Sequence, residues 1–195
     1  MPIVDCYLLK RSLEGPRDAC GDGGVILESD DELFLALLDV LGHGREAHAA
    51  AVMAEEFLVR ESGRGLKEIM VGLHSHLQGT RGAVAALCRL NKNTGELSYV
   101  GVGNINSRIY GPRPRHLIPR DGIIGYSIST PLEQKTELGP GDILVCTSDG
   151  VREHFDLDDY PDLFRGSARR IAADIIEKLG KGDDDASCIV LRREK

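Results

Sequence analysis

No stretch of the chain approaches the roughly 20 consecutive apolar residues of a membrane-spanning helix, which excludes a helical span. Basic residues are the minority charge, with 24 Lys+Arg against 31 Asp+Glu and a net charge of −7. That balance argues against a nucleic-acid or anionic-membrane partner, because polyphosphate surfaces reward Lys and Arg. The first twelve residues, MPIVDCYLLKRS, lack the basic region, apolar stretch and small-residue cleavage site of a signal peptide. Cysteine is sparse: Cys6, Cys20, Cys88, Cys146 and Cys188 make an odd count with no CxxC pair. Neither a zinc ribbon nor a disulfide framework is suggested. Most of these cysteines sit in apolar runs, where they read as buried small hydrophobes in a reduced, cytoplasmic chain. There is no convincing Ser-His-Asp or Cys-His arrangement, no internal repeat and no linker.

What remains is ordinary globular composition, 42% hydrophobic and 28% charged over 195 residues. The length fits one domain, residues 1–195, without room for an attached sensor. Short apolar runs over 3–9, 23–28, 32–39, 83–90, 96–102, 105–110, 142–147 and 187–192 read as strands. Tight turns at 29–31 and 91–95 join the second strand to the third and the fourth to the fifth, making those pairs antiparallel. Helical spacing marks 45–61, 65–78 and 168–179, the last capped by Ser167 and stopped by Gly180. The elements do not alternate as βαβ units, so the expected class is α+β, antiparallel sheet with packed helices. Residues 111–141, rich in Gly and Pro, read as a long surface excursion, and the acidic 152–166 as a second loop.

Four carboxylates stand at strand ends beside glycines: Asp22 in CGDGG, Asp39 in LLDVLGHG, Asp149 in TSDG and Asp184 in GDDDAS. If the first hairpin is centred on Asp30 and Asp31, residues pair when their numbers sum to 61, and Asp22 and Asp39 do so. Their Cβ atoms would then lie about 5 Å apart. Facing carboxylates repel, so such a pair invites a cation or a shared proton. The same holds for Asp149 and Asp184 if their strands are neighbours. A single Asp at such a place commonly serves a turn or cap. Four beside glycines suit a hard, oxygen-preferring divalent ion.

In order, GDGG, LLDVLGHG, TRGAVAAL, GVGNI, LGPGDILVCTSDGV and DDASCIVL resemble the metal-dependent PPM (PP2C-type) serine/threonine phosphatases. They are most similar to the SpoIIE-like bacterial branch, over about residues 18–192. The resemblance implies a four-layer αββα sandwich, two central antiparallel sheets flanked by helices. It implies two Mn2+ or Mg2+ ions at one end, with catalytic Asp22, Asp39, Asp149 and Asp184 as ligands. Asp39 would bridge both ions, and the Val40 carbonyl would bind one. Asp22 would serve the second, and Asp149 and Asp184 would complete the first. A water between the ions, deprotonated to hydroxide, would attack phosphorus in line. A stand-alone catalytic domain of this kind resembles stressosome phosphatases, which act on phosphorylated STAS-domain proteins. The alternatives are a phosphatase of an anti-sigma-factor antagonist, or a catalytically silent binding module of the same fold. A haloacid-dehalogenase-like enzyme needs a DxD that Asp149-Gly150-Val151 does not supply.

The chain also departs from larger relatives. Leu41 stands where they often place a histidine, and His43 reads as support for the turn. Asn104 or Asn106 occupies the region of a third-metal Asp. Glu153 reads as a solvated acid, and Arg17 matches the spacing of a phosphate-binding Arg. Thr80 and Arg81 match a motif position of underivable role. His74 and His76 are two apart on a helix and point apart, while His116 and His154 fall in loops. Residues 111–141 and 152–166 are expected to set substrate choice, as loops around a fixed site commonly do.

Overall fold

The computed structural model describes residues 4–13, 20–153 and 159–194. In chain order the described elements are β1 (Val4–Arg11), β2 (Asp22–Glu28), β3 (Glu32–Val40), α1 (Arg45–Glu61), α2 (Leu66–His76), β4 (Ala83–Asn91) and β5 (Glu96–Val102). They continue with β6 (Asn106–Tyr110), β7 (Arg115–Leu117), β8 (Gly122–Ile123), β9 (Ser127–Ile128), β10 (Gln134–Glu137), β11 (Ile143–Thr147), α3 (Ala168–Leu179) and β12 (Ala186–Arg193). All eight sequence-predicted strands and all three helices are present, with ends shifted by at most two residues.

Two five-stranded antiparallel sheets face each other, ordered β1-β12-β11-β6-β7 and β10-β5-β4-β3-β2. β3 shows why they stack. Its sequence ELFLALLDV is apolar on both faces, as a strand covered on both sides must be. Phe34, Ala36, Leu38 and Val40 meet the buried faces of α1 and α2. Leu33, Leu35 and Leu37 meet Leu144, Cys146, Ile189 and Leu191 of the opposite sheet. A third apolar layer joins α3 to the outer face of β11 and β12. The result is the expected αββα sandwich. Cys20, Cys88, Cys146 and Cys188 are buried and unpaired, and Cys6 is half-buried.

α3 starts as expected: Ser167 Oγ accepts from the Arg170 amide at 3.3 Å. Asp5 of β1 adds a second acceptor, taking the Ala168 amide at 2.7 Å, which also suits the positive end of the helix dipole. The helix stops at Gly180, as expected. Gly180 is extended (φ −63°, ψ 132°). Glycine is needed there because a Cβ would press on the Ile176 carbonyl and the Arg11 guanidinium.

Residues 111–141 are more than a surface excursion. β7 pairs with β6 at the edge of one sheet, and β10 pairs with β5 at the edge of the other. Between them β8 and β9 form a two-stranded ribbon, and Ile124 is fully buried against Ala83. The segment is a strap joining both sheets. Its strands run two to four residues and include the polar QKTE, so no hydrophobic period announces them. Short, charged strands at sheet edges also resist pairing with other chains. Of the second loop, 154–158 lie outside the described residues. Leu163 is fully buried, and the Phe164 ring lies 4.3 Å from that of Tyr110.

Candidate metal centre

Side chains alternate along each strand, so the layer between the sheets is built from every second residue. At one end of that layer the apolar columns turn polar together. On β3 the column Leu33, Leu35, Leu37 continues into Asp39, and on β2 Ile26 leads back to Asp22. On β11 Leu144 and Cys146 lead to Ser148, and on β12 Leu191 and Ile189 lead to Ser187. Asp22 and Asp39 are direct register partners, as the hairpin arithmetic required.

Asp149 and Asp184 come from the turns just past β11 and just before β12, which are antiparallel neighbours. Gly150 makes this closeness feasible, since a Cβ there would collide with the Asp185 carbonyl. Asp39, Val40, Asp149 and Asp184 line one open cleft of about 580 Å3, together with His43, Asn104, Asp121 and Asp183. Asn104 Nδ2 donates to Asp149 Oδ2 at 3.1 Å. Asp184 Oδ1 accepts from the Asp185 amide at 2.8 Å. Asp22 sits behind Asp39, only 2% exposed, and accepts from Ser148 Oγ at 2.7 Å.

Burial pushes the Asp39 carboxyl up to about 9, helped by the charges of Asp22, Asp149 and Asp184 and by a hydrogen bond with Asp149. Burial also raises Asp22, to about 6, against the lowering pull of the nearby Ser187 and Ser148 hydroxyls. Asp184 is raised by burial first and by neighbouring carboxylates second. Among the described residues no Lys or Arg ion pair reaches any of the four. A cluster of carboxylates of this kind fits a hard divalent cation. The carboxylates do not close into a finished cage: among the described residues no three or more His, Cys, Asp or Glu are gathered tightly enough to hold an ion by themselves.

The other sequence candidates scatter. Leu41 is 41% exposed at the cleft rim, and His43 shares that cleft. Glu153 lies 3.9 Å from Arg108, and Asn106 accepts from Arg108 rather than facing the cleft residues. Thr80 bonds the Leu77 carbonyl at 2.7 Å and the Gly82 amide at 3.1 Å, shaping the turn into β4. Arg81 pairs with Glu46 at 2.6 Å. His74 accepts from the Gly125 amide, His76 stacks on Phe57, and His116 is the register partner of Arg108. Arg17 and His154 lie outside the described residues. Sequence reasoning missed Asp121, which the strap carries to the cleft, and Asp185. Asp185 is buried and accepts from the Leu13 and Gly21 amides at 2.7 and 2.6 Å. It also missed Ser148 and Ser187, which the period-two pattern of β11 and β12 could have located.

A model of the family "Stage II sporulation protein E (SpoIIE)" matches residues 29–194. The chain is 24% identical over 138 residues, 69% of each protein, to the phosphoserine phosphatase RsbX of Bacillus subtilis. A chain solved in work on the bacterial stressosome, a modular system adapted to control secondary-messenger signalling, superposes with a TM-score of 0.89 and 34% identity, covering 97% of this chain and 100% of that one. RsbX in complex with magnesium superposes at 0.85 with 19% identity, covering 98% and 96%; at that identity the likeness speaks for the fold.

Proposed function

This chain belongs to the SpoIIE family of PP2C-type serine/threonine phosphatases, and from that premise we propose that it removes phosphate from phosphoserine or phosphothreonine on STAS-domain proteins of a stressosome. The observation that carries the chemistry is the gathering of Asp22, Asp39, Asp149 and Asp184 at one end of the sandwich, two from each sheet, with no Lys or Arg ion pair to them among the described residues. The stressosome assignment is supported by the likeness to RsbX and to the stressosome chain.

Two Mn2+ or Mg2+ ions held there would lower the pKa of a water between them and neutralise the phosphoryl oxygens. Asp39, with the Val40 carbonyl beside it, Asp22, Asp149 and Asp184 would hold the ions. Asn104 steadies Asp149 through its amide. The cleft is open, so a phosphorylated side chain can enter while its protein stays outside. The strap residues Asp121, Gly122 and Ile123 border that opening and are where the substrate protein is discriminated.

The test is phosphate release from a panel of phosphorylated STAS proteins and from an aryl phosphate, with and without Mn2+. Metal-dependent release from the aryl phosphate and from one STAS protein is expected. No release from either would leave a silent binding module. Release from an anti-sigma-factor antagonist alone would move the enzyme to another pathway.

A further inference from the structure

Ser148 stands between the two sheets at the polar end of their shared core, and the cleft does not include it. It is 1% exposed and fully committed. Its Oγ donates to Asp22 Oδ2 at 2.7 Å and accepts from the Ser187 amide at 2.9 Å, while its own amide donates to the Ser187 carbonyl at 3.1 Å. A hydroxyl has one proton to give. With its acceptor side taken by a backbone amide, that proton points at Asp22. The Ser187 hydroxyl is also buried on the same inward column, with no hydrogen-bond partner of its own within normal geometry. The two serines end strands of one sheet, and Asp22 begins a strand of the other.

We propose that Ser148 is a positioning residue that seats the Asp22 carboxylate across the gap between the sheets, turning it so that its second oxygen faces the ion it serves. This rests on the reading that Asp22 is a metal ligand. A carboxylate rotates freely about its terminal bond unless one oxygen is held. Partners of this kind behind a ligand commonly govern affinity nearly as strongly as the ligands themselves. Because the Ser148 amide and hydroxyl both bond Ser187, the seat is rigid with respect to β12. The Ser148–Asp22 bond therefore ties the two sheets together at this end.

Calorimetric titration of the full chain with Mn2+, well below its melting temperature, tests this on Ser148→Ala, Ser148→Cys, Ser148→Thr and Asp39→Asn. Ser148→Ala should weaken one class of Mn2+ site about 10–100-fold and raise half-saturating Mn2+ for aryl-phosphate hydrolysis equally. Ser148→Cys, nearly isosteric but a poor donor, should shift both in the same direction and keeps the test valid if the alanine variant does not fold. Ser148→Thr, which keeps the hydroxyl, should bind Mn2+ within about threefold of the parent. Parental Mn2+ affinity in the alanine or cysteine variant, with only a lower melting temperature, overturns the proposal, as does an equal loss in Ser148→Thr. If Asp39→Asn also binds Mn2+ like the parent, the metal reading itself fails; if it loses Mn2+ while Ser148→Ala does not, the serine's role alone falls.

Discussion

The two carboxylate pairs of the cleft are built in opposite ways. Asp22 and Asp39 lie within strands, opposite each other in one hairpin, Asp22 buried and Asp39 half-buried. Asp149 and Asp184 lie in turns outside the strands, brought together by the antiparallel pairing of β11 with β12 and by the missing side chain at Gly150. The first pair is held by register and is electrostatically costly. The second is held by backbone approach and borders the cleft. The proposed metal centre therefore has one half fixed by strand register and one half carried on turns.

The largest effect should separate the pairs directly. Asp39→Ala should cost about a thousandfold or more in aryl-phosphate turnover, since several kcal/mol of charge stabilisation are lost with both ions, and added Mn2+ should not restore it. Asp149→Ala and Asp184→Ala should weaken Mn2+ about 10–100-fold and recover partly at high Mn2+. Unchanged turnover in Asp39→Ala or Asp149→Ala would falsify the assignment.

Glycine offers a finer contrast. Gly150→Ala forces β11 and β12 apart at the Asp185 carbonyl and should cost about 1–3 kcal/mol of stability together with Mn2+ affinity. Gly23→Ala, beside the first pair, meets a flexible Glu55 side chain at 3.1 Å and should be milder in both. Equal losses in denaturant melts and calorimetry would erase the distinction.

The metal-free protein should also lose stability with rising pH through the hairpin pair. Burial holds the folded-state Asp39 carboxyl near 9, far above the ordinary carboxylate range. The stability it contributes is therefore complete below about pH 4 and is lost as pH rises toward about 9. Asp22, near 6, adds a smaller loss at the lower end of that range. In chelator, denaturation midpoints should fall from pH 5 to pH 8.5. Asp39→Asn should flatten the slope, and Asp149→Asn should leave most of it. Mn2+ must displace that proton, so its affinity should rise over the same range. A flat profile in the parent would remove the electrostatic half of the contrast.

The smallest effect should touch neither pair. Tyr126, 67% exposed beside the β8–β9 ribbon, should on truncation to alanine slow phosphoprotein turnover about tenfold and leave the aryl phosphate unaffected. Loss of both together would mean that the strap supports the metal cleft rather than the substrate.

What was legible in the sequence follows the same division. The hairpin pair could be located by counting, because a tight turn fixes which residues oppose, and β2 and β3 obey the sum rule throughout. The αββα layering rested on resemblance, since periodicity marks which face is buried but not what covers it. Asp121 could not be found: its segment crosses between sheets on strands too short and polar to carry a period. Ser148 and Ser187 lay one alternation past recognised apolar columns. They were overlooked because an isolated serine carries no signal until its column is followed to the strand end.

β1 and β12 are hydrogen-bonded along their whole length, Val4 opposite Arg193, and this governs the order in which the molecule can come into being. β2 through β5 form a meander of neighbouring partners that needs only the first half of the chain. In the other sheet β11 can pair with β6 at once, but β1 must wait for β12, and such long loop closures slow folding. During synthesis Asp22 and Asp39 can therefore face each other long before Asp184 exists. The two halves of the cleft meet only when the last strand enters, so competence for metal arrives in a single late step.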